Sequence, residues 1–91
     1  MYVIVSYDMV NTRMRIKVAK LLLNYGKRVQ KSVFECLIDD KQFIKMKEDL
    51  EKLIDMKEDT VRYYILCQRC VPNIKISGWG TISEDEDVNI V

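Results

Sequence analysis

The stretch between the two helical patterns of this chain limits the folds that it can adopt. It reads RVQKSVFECLID, residues 28–39, and is about twelve residues long, whereas a typical strand has about five or six. A tight reversal near Ser32 would divide it into two strands of ordinary length. We therefore predict a β-hairpin here, with β2 and β3 of the fold on either side of the bend.

Strand and helix patterns flank this hairpin on both sides. Residues 2–7 are apolar on both faces, as in a central strand, and residues 60–67 form another strand pattern. A helix is predicted over 12–25, with Asn11 or Thr12 as its N-cap and Gly26 as its C-cap. The helices carry apolar stripes at helical spacing: Met14, Val18, Leu21, Leu22 and Tyr25 in the first, and Phe43, Met46, Leu50, Leu53 and Ile54 in the second.

The second helix begins at a capping signal. Asp39 stands three residues before Gln42, which is the spacing of a capping box, and the helix is predicted to run to about Lys57. Without the hairpin the order would be strand, helix, strand, helix, strand, strand. With it the order is βαββαβ, the ferredoxin-like α+β sandwich, whose antiparallel sheet carries both helices on one face. A chain of 91 residues forms one such domain.

Two short strand patterns, 73–79 and 87–91, remain after the fold is complete. Short strands are not stable alone, so this C-terminal extension over 73–91 must join a sheet edge of its own chain or of a partner. Exchange within a symmetric pair gives a closed homodimer and covers the exposed edges. Trp79 is then an interface residue; the alternative is that it packs on its own core.

Composition excludes several classes of protein. Apolar residues make up 48% and charged residues 32% of the chain, which is typical of a globular protein and not of a disordered one. The apolar runs are far shorter than a membrane span, and the chain begins directly with a strand pattern. Three cysteines, an odd number, suit a reducing compartment. We expect a cytoplasmic protein without membrane contact.

Basic residues are concentrated in one segment of a chain whose net charge is only +1. Residues 9–34 contain no acid, and such a segment is a candidate anion-binding surface. The alternative is an ordinary solvated helix face. The basic residues of the segment are Arg13, Arg15, Lys17, Lys20, Lys27, Arg28 and Lys31.

The sequence contains no histidine, which excludes Ser/His/Asp and Cys/His catalytic machinery. Asp8 is the candidate that remains, because it ends the first strand directly before the basic segment. It would hold Mg²⁺ (or Mn²⁺), a hard cation that binds one or two carboxylates together with waters and substrate phosphates. One aspartate per chain is few, and a twofold axis would supply a second. The alternative is that Asp8 caps the turn at 10–12.

Cysteines and tyrosines each allow two interpretations. Cys67 and Cys70 have the spacing of a metal-binding pair, but a zinc site needs further ligands that only a second copy would supply, so core packing is the default, as it is for Cys36. Tyr7, Tyr63 and Tyr64 can stack on nucleic-acid bases, or they can pack within the sheet.

The order and spacing of these segments resemble the CRISPR-associated protein two family over essentially the whole chain. The resemblance rests on MYVIVSYDM, then Arg13, a helix reaching Gly26, VQKSVFE, an acidic helix and DTVRYYIL. It implies a ferredoxin-like fold and a homodimer that exchanges C-terminal strands. It also implies that Asp8 is the metal-binding catalytic position, and that Arg13 and Phe34 belong to the family motif.

The resemblance further implies metal-dependent endonuclease cleavage of single-stranded RNA or double-stranded DNA in CRISPR spacer acquisition, with the large integrase subunit as partner. A second hypothesis is a non-catalytic DNA-binding scaffold that bridges integrase dimers, in which Asp8 is incidental. The sequence offers one strong candidate carboxylate and no histidine as general base, so it favours a slow enzyme or no catalysis at all. We assign nucleic-acid binding to Arg13, Arg15, Lys17, Lys27, Arg28 and Lys31, and supporting roles to Tyr7, Ser32 and Phe34.

Overall fold

The computed structural model describes residues 1–67, 69 and 75–77. Within them the chain has the βαββαβ order that the sequence predicts, which confirms the ferredoxin-like α+β fold. Its elements are β1 (Tyr2–Asp8), α1 (Thr12–Leu22), β2 (Gly26–Gln30), β3 (Val33–Leu37), α2 (Asp40–Leu53) and β4 (Thr60–Leu66). The hairpin bends at residues 31–32, as predicted.

The sheet is antiparallel, with the strand order β2-β3-β1-β4. β1 lies inside the sheet and pairs with β3 on one side and β4 on the other. Its first residues, through Val5, are apolar on both faces, as expected of a strand that has neighbours on both edges. The predicted central position of this strand is therefore confirmed.

Both helices cover the same face of the sheet. Val3, Val5 and Tyr7 of β1 point to that face and are almost fully buried. They form one core cluster with Val18 and Leu22 of α1, Met46 and Leu50 of α2, and Phe34 and Cys36 of β3. Because side chains alternate along a strand, the residues between them point to the opposite face, which we call the helix-free face.

The helix-free face is defined by the strand registers. Its members are Tyr2, Ile4, Ser6 and Asp8 of β1, Lys27 of β2, Val33, Glu35 and Leu37 of β3, and Thr60, Arg62, Tyr64 and Leu66 of β4. Tyr2 and Glu35 are buried on this face, whereas Asp8, Arg62 and Tyr64 are exposed. The exposed members Asp8, Thr60, Arg62 and Tyr64 lie at the end of β1 and along β4, and Lys27 is exposed on β2.

The helix starts agree with the sequence, and both helix ends differ from it. The Asn11 side chain accepts a hydrogen bond from the Met14 amide, and Asp39 and Gln42 form the complete capping box. α1, however, ends at Leu22 and not at residue 25, and its last turn tightens through a bond from the Tyr25 amide to the Leu22 carbonyl. Gly26 is therefore not a helix cap, and the prediction for it was wrong.

The second helix is shorter than predicted as well. α2 ends at Leu53, and the residues up to Lys57 belong to the loop that leads to β4. Asp55 accepts from the Lys57 amide, and Asp59 accepts from the Asp55 amide at 2.8 Å. Aspartate side chains that bond to nearby backbone groups compete with helical hydrogen bonds, which explains the early end.

Gly26 has a different function, as the first residue of β2. A β-carbon at this position would lie 2.1 Å from the Glu35 carbonyl oxygen and 2.8 Å from the Cα of Cys36. The backbones of β2 and β3 thus approach each other where only a residue without a side chain fits.

The predicted strands at 73–79 and 87–91, Trp79 and the exchange of the extension lie outside the described residues, except that 75–77 are described and form neither helix nor strand. Neither described helix has the length and the run of apolar residues that crossing a bilayer requires.

We expect Gly26→Ala to destabilise the fold by about 1–3 kcal/mol, because the new methyl group overlaps backbone atoms of β3 that cannot move independently. Urea unfolding at a fixed protein concentration measures this. Lys27→Ala, the next residue on the same strand and exposed, is the matched control and should change the free energy of unfolding by less than about 0.5 kcal/mol. Equal effects of the two substitutions would contradict the steric explanation.

Candidate active site

Asp8 lies at the end of the central strand and on the helix-free face. It is in register with Thr60, the first residue of β4, and its side chain is exposed. The alternation along β1 explains the placement: Val3, Val5 and Tyr7 enter the core, so Asp8 belongs to the opposite set. A hydrophobic strand thereby places a carboxylate at the sheet surface without burying it.

The carboxylate of Asp8 does not cap the turn before α1. Asn11 fills that position, with its Oδ1 atom 3.0 Å from the Met14 amide nitrogen. Within the described part of the chain, the Asp8 side chain forms no hydrogen bond and no ion pair. The structural interpretation of Asp8 as a turn residue is therefore wrong, and the carboxylate is available to a ligand.

Hydrogen bonds hold the hairpin turn against Tyr7, the residue that precedes Asp8. The Tyr7 amide donates to the Ser32 carbonyl at 3.1 Å, and the Tyr7 hydroxyl donates to the Lys31 carbonyl at 3.4 Å. The guanidinium of Arg28 donates to the same Lys31 oxygen from two nitrogens, at 3.1 and 2.5 Å. This turn, which carries the exposed Lys31, is thus held against the residue that precedes Asp8.

Aromatic residues near the site mainly pack. The Tyr7 ring is buried and lies 6.4 Å from that of Phe34, centroid to centroid. Tyr63 meets Phe43 edge to face at 5.6 Å, and burial together with the nearby Glu51 raises the pKa of Tyr63 to about 12. Of the three tyrosines proposed to stack on bases, only Tyr64 has a substantially exposed side chain, at 47%.

The basic residues divide between two elements and differ in what they contact. Arg13, Arg15 and Lys17 lie on the first turns of α1 and are exposed, and Arg15 donates to the Thr12 hydroxyl at 2.7 Å. This helix begins on the Asp8 side of the sheet, and its first turn has no acid. Lys27 lies further away, in register with Glu35 on the helix-free face.

Arg28 is the exception among the predicted nucleic-acid residues. Its guanidinium closes the hairpin turn through two hydrogen bonds to one carbonyl oxygen. Arg28 therefore has a structural contact, and its assignment to nucleic-acid binding stays a prediction. The sequence offered no signal for this local contact, because the carbonyl that accepts the bonds belongs to the backbone.

The sequence analysis missed Arg62 as a residue of the site, and it named Tyr64 only as a residue that can stack on bases. Arg62 lies opposite Ser6 on the helix-free face, and its exposed side chain hydrogen-bonds that of Tyr64, which raises the pKa of Arg62. The signal for both was present in TVRYYIL, where alternation places Arg62 and Tyr64 on the face opposite Val61 and Tyr63.

The cysteines do not form a reactive or metal-binding site in the described residues. Cys36 is fully buried in the core, as predicted, and burial together with Glu35 raises the pKa of its thiol to about 11. At neutral pH it is therefore a protonated core residue and a poor nucleophile. Cys67 is exposed, so the core prediction was wrong for it, and Cys70 lies outside the described residues.

The chemistry open to this site is narrow. The described residues contain no cluster of three or more acidic, cysteine or histidine side chains that would hold a metal ion by themselves. Asp8 supplies one exposed, unneutralised carboxylate, which fits a hard divalent cation that keeps most of its waters and binds substrate phosphates. It does not fit zinc, which requires a fuller set of protein ligands.

Known proteins are similar to this chain in sequence and in structure. The family model for CRISPR associated protein Cas2 matches residues 1–74. The chain is 39% identical, over all of both sequences, to the CRISPR-associated endoribonuclease Cas2 1 of Chloroflexus aurantiacus. It is 45% identical over 72% of its length to the CRISPR-associated endonuclease Cas2 of Halalkalibacterium halodurans, of which 74% is covered. A crystal structure of Streptococcus pyogenes Cas2 at pH 6.5 superposes with a TM-score of 0.76 at 39% identity, covering 86% of this chain and 100% of that one.

Arg28→Ala should lower the free energy of unfolding by about 1 kcal/mol, because it removes both hydrogen bonds that close the hairpin turn. Arg13→Ala removes the same charge from an exposed helix position and should change it by less than about 0.5 kcal/mol. Chemical unfolding of the two variants side by side measures the difference. Equal stability of the two variants would show that the Arg28 hydrogen bonds contribute nothing measurable to the fold.

Proposed function

This chain belongs to the CRISPR-associated protein Cas2 family, and from that membership and the geometry of Asp8 we propose that it is a Mg²⁺-dependent endonuclease acting in CRISPR spacer acquisition. The single observation that carries the proposal is the state of Asp8: exposed, at the end of the central strand, and unpaired within the described residues. A carboxylate that is exposed and has no basic partner among the described residues can bind a metal cation from solution.

Asp8 holds the metal ion in this proposal. When bound, the ion polarises the phosphodiester and lowers the pKa of a water ligand. Hydrolysis then forms a bond from the water oxygen to phosphorus and breaks the bond from phosphorus to the leaving sugar oxygen, which takes up a proton. Mn²⁺ replaces Mg²⁺ on the same grounds, since both are hard cations that prefer oxygen ligands.

A homodimer supplies what one chain lacks. One carboxylate is a sparse donor set, and a twofold axis near the end of β1 duplicates it with the same register and the same face. The helix-free face is the surface that suits this contact, because both described helices cover the other face. Ile4 of β1 and Val33 of β3 contribute apolar area to it.

The substrate of this reaction is single-stranded RNA or double-stranded DNA. The exposed cations at the start of α1, Arg13, Arg15 and Lys17, lie on the Asp8 side of the sheet together with Lys31 of the hairpin turn. Phosphate groups are attracted to such a surface irrespective of base sequence. The Chloroflexus relative is named an endoribonuclease and the Halalkalibacterium relative an endonuclease, and both names support cleavage of nucleic acid.

The partner in spacer acquisition is the large integrase subunit of the CRISPR system. The membership of the chain in the Cas2 family supports this assignment. Among the described residues, the α2 surface is rich in charges of both signs and includes the exposed Lys45 that pairs with Asp49 at 3.1 Å. The α2 surface thus differs from the first turns of α1, which carry only basic charges. We assign α2 to the protein partner and the start of α1 to nucleic acid.

A second candidate function is a DNA-binding scaffold without catalysis. The observation that favours it is the absence of any three-ligand cluster among the described residues, together with the absence of histidine from the chain. In this case the basic surface binds duplex DNA between integrase dimers, and Asp8 has no metal. The two functions differ in what a single substitution does.

Asp8→Asn should abolish Mg²⁺-dependent cleavage, because the amide keeps the size of the side chain and removes the charge that binds the ion. Labelled single-stranded RNA and duplex DNA are incubated with the purified protein in Mg²⁺ or in EDTA. Asp40→Asn is the matched control, since Asp40 is an exposed carboxylate on the first turn of α2, at the opposite end of the sheet.

The outcomes of that experiment separate the two functions. Cleavage that requires Mg²⁺, vanishes in Asp8→Asn and persists in Asp40→Asn supports the nuclease. Cleavage that persists in Asp8→Asn refutes the assigned site. Intact DNA binding without cleavage by any of the three proteins refutes the nuclease and leaves the scaffold.

Binding to duplex DNA should weaken with salt, and the basic start of α1 should set part of the slope. Each phosphate contact contributes about −0.9 to the slope of log K against log salt concentration. Replacing Arg13 and Lys17 by alanine together should make the slope shallower by up to about 2. Lys41 and Lys47, exposed on α2, give the charge-matched control pair, and an equal loss from both pairs would show that binding depends only on net charge.

A further inference from the structure

Two opposite charges lie close together on the helix-free face and do not pair. Asp8 is in register with Thr60, and Ser6 is in register with Arg62, so Arg62 is the diagonal neighbour of Asp8 across β1 and β4. Diagonal neighbours are about 7–8 Å apart, within reach of a long side chain. Yet within the described part of the chain neither Asp8 nor Arg62 forms an ion pair.

Tyr64 lies next to Arg62 on the helix-free face. A hydrogen bond to the Tyr64 side chain raises the pKa of Arg62. Tyr64 is in register with Ile4, so it lies on the side of Arg62 away from Asp8. The side chains of Asp8 and Arg62 are both exposed, so both charged groups are accessible to other ligands.

We propose that Arg62 binds the scissile phosphate of the nucleic acid cleaved at Asp8, and that Tyr64 positions the Arg62 guanidinium for this contact. The inference rests on the proposed nuclease function and extends it to a residue outside the basic segment. Arg62 lies on the strand paired with β1, on the same face as Asp8, and its side chain is exposed.

The chemistry of arginine suits this role. A guanidinium is a planar group with five N–H donors that matches the geometry of a phosphate, so a bond to Tyr64 leaves other donors for the ligand. Negative charge grows on the phosphate oxygens as the water attacks. A cation held in place beforehand stabilises that charge without reorganising during the reaction. Asp8 alone repels the phosphate, so a cation on the same face offsets that repulsion.

The first test is cleavage of single-stranded RNA and duplex DNA in Mg²⁺ by Arg62→Ala and Arg62→Lys. The alanine variant should lose about 10²-fold in kcat, as removal of one transition-state donor does, with a smaller change in KM. Lysine keeps the charge and should restore part of kcat. Arg69→Ala is the matched control, because Arg69 is an exposed arginine beyond the end of β4, and it should cleave normally.

The second test measures Tyr64 by metal binding without nucleic acid. In Tyr64→Phe the guanidinium is released and can pair with Asp8, so calorimetry should show Mn²⁺ binding weakened several-fold. Adding Arg62→Ala to Tyr64→Phe removes the competing cation and should restore Mn²⁺ affinity to that of the unaltered protein or above it. Unchanged Mn²⁺ affinity in Tyr64→Phe would overturn the positioning role.

Parallel variants separate this inference from the function on which it rests. If Asp8→Asn loses cleavage while Arg62→Ala keeps its full kcat, the Arg62 proposal is wrong and the nuclease assignment stands. If Asp8→Asn keeps cleavage, both fail. Sedimentation and circular dichroism accompany each variant, and loss of kcat in Arg62→Ala explained by unfolding or by dissociation of subunits would also overturn the phosphate-binding role.

Discussion

The structure depends on the pairing of β1 with a strand on each side. The ladders to β3 and β4 use both edges of its backbone, and Val3 and Val5 anchor it under the helices with no exposed surface. Long-range backbone hydrogen bonds and the burial of apolar side chains therefore act on the same residues. Every other placement follows from the register of this strand, including the face on which Asp8 appears and the residues that lie beside it.

The two faces of the sheet differ in the side chains that they carry. The helix side holds the apolar cluster, including Phe34, Met46 and Leu50, and it contains the protonated thiol of Cys36. The helix-free side holds charged groups: Asp8 and Arg62 in diagonal positions, and Lys27 in register with Glu35. This division explains how a chain of 91 residues without histidine presents a candidate catalytic group while it keeps a closed core. Most of the apolar cluster lies on one face, and the proposed chemistry uses the other.

Local signals in the sequence were reliable where a short segment decides the structure. The capping box of Asp39 and Gln42 and the N-cap Asn11 involve residues three apart, and both were recognised. The hairpin followed from strand length alone. Helix ends were less predictable, because the end of α2 depends on aspartates that bond within the following loop. Gly26 was misassigned because its role depends on the backbone of β3, which is remote from any helix-capping pattern.

The order of elements, the apolar stripes and the acid at the end of the first strand can all be derived from the sequence, because periodicity and capping are properties of neighbouring residues. The residues that surround this acid become known only from the fold. Arg62 and Tyr64 are more than fifty residues from Asp8 along the chain and join it through the β1–β4 register. Likewise Arg28, which looked like a nucleic-acid ligand, closes a turn. Contacts of this kind arise from strand pairing, and a single sequence read in short windows does not contain them.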